Sequence, residues 1–150
     1  MEVRWGEMNH FLKINVVSII YALMILVPVE LMVNLYRLTR LSGWDMDFVK
    51  NVSGFMSGAV LIMGTVFLYF LTKKWMEGRN TANWTAILWL PYFVLFSYAI
   101  ATSFPTTYGG DAPNPASGLV MIGALVSYPF YVLVLNFLSL NTKEEEINVD

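Results

Sequence analysis

Four long apolar stretches, over 14–36, 52–72, 84–104 and 119–140, alternate with short polar segments, and together they hold a single charged side chain, Glu30. Each is a little over twenty residues long, and about 20 apolar residues in a helix cross the ~30 Å hydrocarbon core of a bilayer. The pattern predicts an all-α integral membrane protein: one domain, built as a bundle of four transmembrane helices, with the N- and C-termini on the same side. The first apolar run leads into Glu30, Leu31 and Met32 rather than into a small-residue cleavage pattern. It therefore reads as a retained helix and not as a signal peptide.

The polar segments carry boundary signals of their own. Pro105 follows the third stretch and closes it. Asn114 before Pro115 has the form of an N-cap with proline in the first helical turn, and Asp45 is placed to cap a helix that runs on into the second stretch. Trp5, Trp44, Trp75 and Trp84 all fall near predicted edges, where tryptophan anchors at the headgroup level. The last residues, with Lys143, Glu144, Glu145, Glu146 and Asp150, read as a solvated, disordered acidic end.

Orientation follows from Lys and Arg in the short flanking segments. Arg4, Lys13, Lys73, Lys74, Arg79 and Lys143 lie on the side of the termini, against Arg37, Arg40 and Lys50 on the other. The balance predicts cytoplasmic termini, with the plasma membrane of a bacterium or archaeon as the expected location.

Composition then removes several functions. Charged residues make up 13% of the chain, against about 25% in a soluble domain. With no cysteine there is no disulfide relay, thiolate nucleophile or cysteine-held metal, and the one histidine, His10, lies outside every stretch. No metal or cofactor is expected. The net charge of −2, with no basic run, lacks the electrostatic footprint of nucleic-acid binding. Membrane lipids, other membrane subunits or further copies of the chain are the expected partners.

Glu30 is the most informative residue, because an ionised side chain within a span is costly and is rarely left facing lipid. At helical spacing Asn34 and Arg37 share its face, so a polar ladder Glu30–Asn34–Arg37 is expected to lead toward the outer interface. Glu30 then serves as a proton or cation site or as an anchor for a ligand headgroup; fixing helix packing is the plainer role. Pro28 lies two positions away, and Pro91 and Pro129 also fall inside apolar stretches, where proline removes a backbone hydrogen bond.

Small residues mark expected helix contacts. Gly54, Ser57, Gly58 and Gly64 lie in the second stretch and Gly123 and Ser127 in the fourth, with Gly54 and Gly58 in the spacing that lets backbones approach closely. Trp89 and Tyr92 of the third stretch, with Tyr98, Tyr128, Tyr131 and Asn136, are candidates to line a pocket opposite Glu30, or else to bond between helices.

Three functions remain. A non-catalytic subunit, assembly or regulatory component of a membrane complex needs no chemistry that the chain lacks. A small homo-oligomeric transporter or channel would use Glu30 as its proton- or cation-coupling group. A lipid- or quinone-binding membrane protein, or an enzyme, has least support, since no nucleophile–base pair or pair of carboxylates is visible.

Overall fold

The structure, a computed structural model, describes residues 2–76 and 78–149, with side chains described over 9–76 and 78–148. The expected side chains Arg4, Trp5 and Asp150 lie outside the described residues. The order of elements is α1 (Glu2–Val33), α2 (Leu35–Ser42), α3 (Met46–Trp75), α4 (Arg79–Ser103), a 3-10 turn (Gly109–Asp111) and α5 (Pro115–Val149). No strand occurs among the described residues, and four of their helices, α1, α3, α4 and α5, are long and apolar enough to cross a membrane.

These four helices run up and down. α1 packs along both α3 and α4, and α5 closes the far side against the same two helices. The end of the bundle with α2 and the α4–α5 connection is called distal here, and the end with the α3–α4 connection proximal. α1 is the most buried of the four and α3 the least. Val17, Tyr21, Ala22, Met24, Ile25 and Val29 of α1 form the spine of the core, joined by Leu68, Trp89, Phe93, Tyr128 and Val132 from the other helices. The outer surface is just as apolar: Phe55, Ile62, Met63 and Phe70 of α3 stand exposed, as do Leu119 and Phe130 of α5.

Local chemistry fixes the ends. The Asp45 carboxylate accepts the Asp47 backbone N–H at 3.0 Å and caps α3, while the Asn114 side-chain oxygen accepts that of Ala116 at 2.7 Å at the start of α5. α4 stops at Ser103, two residues before Pro105. α2 ends at Gly43, whose φ of +68° is left-handed backbone that glycine adopts without strain. α1, α4 and α5 each continue through their internal prolines, Pro28, Pro91 and Pro129.

Two boundaries differ from expectation. The first apolar stretch does not continue helically to 36: it breaks at Asn34, where the side-chain amide joins the backbone N–H in donating to the Glu30 carbonyl, both at 3.0 Å. Such local side-chain bonds compete with the helical ladder, and α2 departs as a separate short helix. The acidic end, in turn, is not a disordered tail. α5 continues to Val149, and its last turns are tied to the α3–α4 connection. Lys73 donates to Glu146, Arg79 donates to Asn141 and lies 3.7 Å from Glu144, and Lys143 donates to the Met76 carbonyl at 3.0 Å.

Candidate functional site

Glu30 lies in the last turn of α1, half-buried, beside a cavity of about 360 Å³ between α1, α4 and α5. Val29, Val33, Phe93, Ile100, Met121 and Leu125 supply its apolar walls; Glu30, Asn34, Ser97 and Thr106 supply the polar groups. Glu30 is the one ionisable side chain in that lining. A second cavity of about 340 Å³ continues toward the distal end, lined by Leu31, Arg37, Leu38 and Leu41 and sharing Glu30, Asn34, Ile100 and Phe104 with the first. The carboxylate thus stands where the two meet.

Glu30 is incompletely partnered. The Asn34 amide donates to its Oε2 at 3.0 Å, and no other side chain among the described residues donates to either carboxylate oxygen. Because the same amide nitrogen also donates to the Glu30 carbonyl, the orientation of the Asn34 side chain is fixed by two acceptors, and no group among the described residues donates to its own oxygen. Arg37 is not the third rung of the ladder. The break at Asn34 turns α2 away, and Arg37 Nη1 donates to the Phe104 carbonyl at the end of α4, at 2.7 Å. Ser97 adds a hydroxyl that has no hydrogen-bond partner.

Above the cavities, α2 is fastened to the α4–α5 connection. Arg40 makes a two-pronged bond to Asp111, Nε to Oδ1 at 2.9 Å and Nη2 to Oδ2 at 2.7 Å, and its guanidinium lies over the Tyr108 ring. The Arg40 bonds hold the Asp111 carboxyl below the usual carboxylate range, against the upward push of its burial. Reading the sequence missed this pair, although Asp111 is the one charged residue between Ser103 and Pro115.

None of the aromatic and amide candidates lines the Glu30 cavity. Tyr98 is 69% exposed on the outside of α4. Trp89 is buried, donating to the Ala86 carbonyl at 2.9 Å, and Tyr92 donates to Asn15 of α1. Tyr131 shares a hydrogen bond with Thr65 of α3 at 2.6 Å, and Tyr128 donates to the Tyr21 carbonyl at 2.6 Å. Asn136 is the centre of a buried network nearer the proximal end: it accepts from Tyr21 at 3.1 Å and donates to the Ala82 carbonyl at 2.8 Å and to Thr85 at 3.0 Å. It also borders a separate cavity of about 320 Å³ with Arg79 and Asn83. Tyr92, Tyr128, Tyr131 and Asn136 tie helices together, and the aromatic that reaches the Glu30 cavity from the middle of α4 is Phe93.

The small residues divide in a way their spacing did not reveal. A Cβ on Gly64 would lie 2.4 Å from the Met24 sulfur, so α1 and α3 approach closely there. At Gly54, Gly58 and Gly123 an added Cβ would meet nothing within 4 Å. Those three face outward, and so does Ser127, whose hydroxyl donates to the Gly123 carbonyl, while Ser57 donates to that of Ser53. Of the glycines expected to pack helices, Gly64 does so within the bundle, while Gly54, Gly58 and Gly123 have nothing of the described residues opposite them. Compared with known protein families, curated proteins and solved structures, the chain matches none.

Proposed function

We propose that this chain is an integral membrane protein with cytoplasmic termini, and that it binds a small molecule in the cavity beside Glu30. The observation that carries the reading is a carboxylate without a cationic partner at the junction of two cavities. Unpaired charge at this depth is costly and is retained where it meets a proton, an ion or a ligand. A cavity of about 360 Å³ lies within the usual size of ligand pockets, ~300–1,000 Å³, and its apolar walls with a few convergent polar groups match their make-up. This reading takes up the transport and lipid- or quinone-binding expectations and needs no catalytic group.

The experiment is native mass spectrometry of the protein released from its own membrane in mild detergent. Retention of a small non-protein mass, lost in a Val33→Trp variant that fills the cavity, is the expected result. Protein that carries no such mass, or keeps it in the filled variant, would overturn the reading.

A second reading, that the chain is a subunit of a larger membrane assembly, draws support from the outward-facing Gly54 and Gly58 on the least covered helix. A helix of another chain could approach closely there. The same spectra test it: a fixed protein stoichiometry that Gly58→Leu abolishes supports it, and a monomer with and without the substitution refutes it.

A further inference from the structure

The acceptors left open around the cavity define the chemistry of its occupant, and this step rests on the cavity being a ligand site. Two oxygens there lack a donor among the described residues, Glu30 Oε1 and the Asn34 side-chain oxygen, one turn apart at the same junction. The one basic side chain lining either cavity, Arg37, is held by the Phe104 carbonyl. The first cavity therefore offers negative charge and open acceptors, with the neutral Ser97 and Thr106 hydroxyls as its donors, while the Arg37 guanidinium lines only the second cavity. A bare metal ion fits poorly, since hard cations take six or more oxygens, and no group of three acidic or histidine side chains gathers among the described residues. The volume and the walls call for an organic body, and the Phe93 and Phe104 rings in the lining suit a cation as well as an alkyl or aryl group.

We propose that the Glu30 cavity takes a protonated lipophilic amine, its N–H groups donating to Glu30 Oε1 and Asn34 and its apolar body lying against Val33, Phe93, Met121 and Leu125. The requirement for N–H follows from the acceptors: a quaternary ammonium supplies charge but no donor, and so gives neither oxygen a hydrogen bond. Ser97, whose hydroxyl is otherwise unpartnered, lies along the wall next to the apolar body.

The test is calorimetric titration of the purified full chain in nanodiscs of zwitterionic lipid, with empty nanodiscs subtracted. The probes are octylamine, octyltrimethylammonium, octan-1-ol and octanoate. Octylamine is expected to bind saturably and at least tenfold tighter than the other three, to lose at least tenfold in Glu30→Gln, and to recover part of that loss in Glu30→Asp. The ranking of the four probes on the unmodified protein stands as a test even if a Glu30 variant fails to fold. Equal binding of octylamine and octan-1-ol, blocked by Val33→Trp, would overturn the amine inference while leaving the cavity a ligand site. Binding of none of the four overturns the amine inference, and the mass spectra then decide the cavity reading separately.

Discussion

Tyr21 of α1 and Asn136 of α5, 115 positions apart, share a buried hydrogen bond of 3.1 Å, and through it Asn136 joins α1 to the start of α4. Asn136 engages its side-chain oxygen and both bonds of its nitrogen, so truncating it leaves the Tyr21 and Thr85 hydroxyls short of a partner in an apolar interior. Asn136→Ala is expected to cost roughly 1–3 kcal/mol, and Tyr21→Phe less, near the ~0.6 kcal/mol average for bonds between membrane helices. Thermal unfolding in detergent reads both. An unchanged midpoint in Asn136→Ala would show that the network contributes nothing to stability.

Gly64 and Gly58 differ in what stands opposite them, and the same substitution should separate them. Gly64→Leu forces side-chain carbon against Met24, which is buried, and is expected to destabilise the α1–α3 contact by roughly 1–3 kcal/mol. Gly58→Leu meets open space and should leave the fold of one chain unchanged. Circular dichroism melts of the two variants compare them directly. Equal losses in both would mean that the helices are not seated as described.

The Arg40–Asp111 clasp has a defined pH dependence. Asp111 titrates below its unfolded value, so the stability it contributes is complete above the ordinary carboxylate range and is lost as the pH falls through its lowered value. Wild type is therefore expected to melt above Asp111→Asn at neutral pH, the two curves converging only when the pH drops below about 3.9. Parallel curves across that range would remove the clasp as a titrating contact.

The absence of cysteine makes every introduced thiol a unique reporter. Under the proposed orientation, with termini and the α3–α4 connection in the cytoplasm, Thr107→Cys should react with a membrane-impermeant maleimide added to intact cells, and Lys74→Cys should react only after lysis. The reverse pattern would invert the orientation drawn from the Lys and Arg balance.

Much of the architecture was legible in the sequence because hydropathy, caps and prolines act locally. Asp45, Asn114 and Pro105 mark helix ends through groups a few residues away, and the structure places those ends beside them. What stayed hidden depends on which face of each helix meets protein. Lipid and core are both apolar, so Tyr98 and Trp89 read alike in sequence although one is exposed and the other buried. Gly64 and Gly58 are indistinguishable for the same reason. Glu30 and its bond to Asn34 were legible from a charge and a helical spacing, whereas the departure of Arg37 to Phe104 depended on the turn at Asn34, a competition between side chain and backbone that no periodicity reports.

The unequal cover of the four helices has a consequence for how this sequence can drift. α1, pressed between α3 and α4, has few positions where a change of volume goes unfelt, whereas α3 leaves a whole face, with Phe55, Ile62, Met63 and Phe70, against its surroundings. A saturation library scored for folded protein should accordingly find the buried positions Val17, Tyr21, Ala22, Met24, Ile25 and Val29 intolerant even of swaps among residues of similar polarity. At the exposed positions Phe55, Ile62, Met63, Val66, Phe67 and Phe70 it should accept nearly any apolar residue, with Gly64, Thr65 and Leu68 between them as fixed points. On the proposed membrane reading, the outer helix would over time come to record the bilayer around it, and the inner one the protein itself.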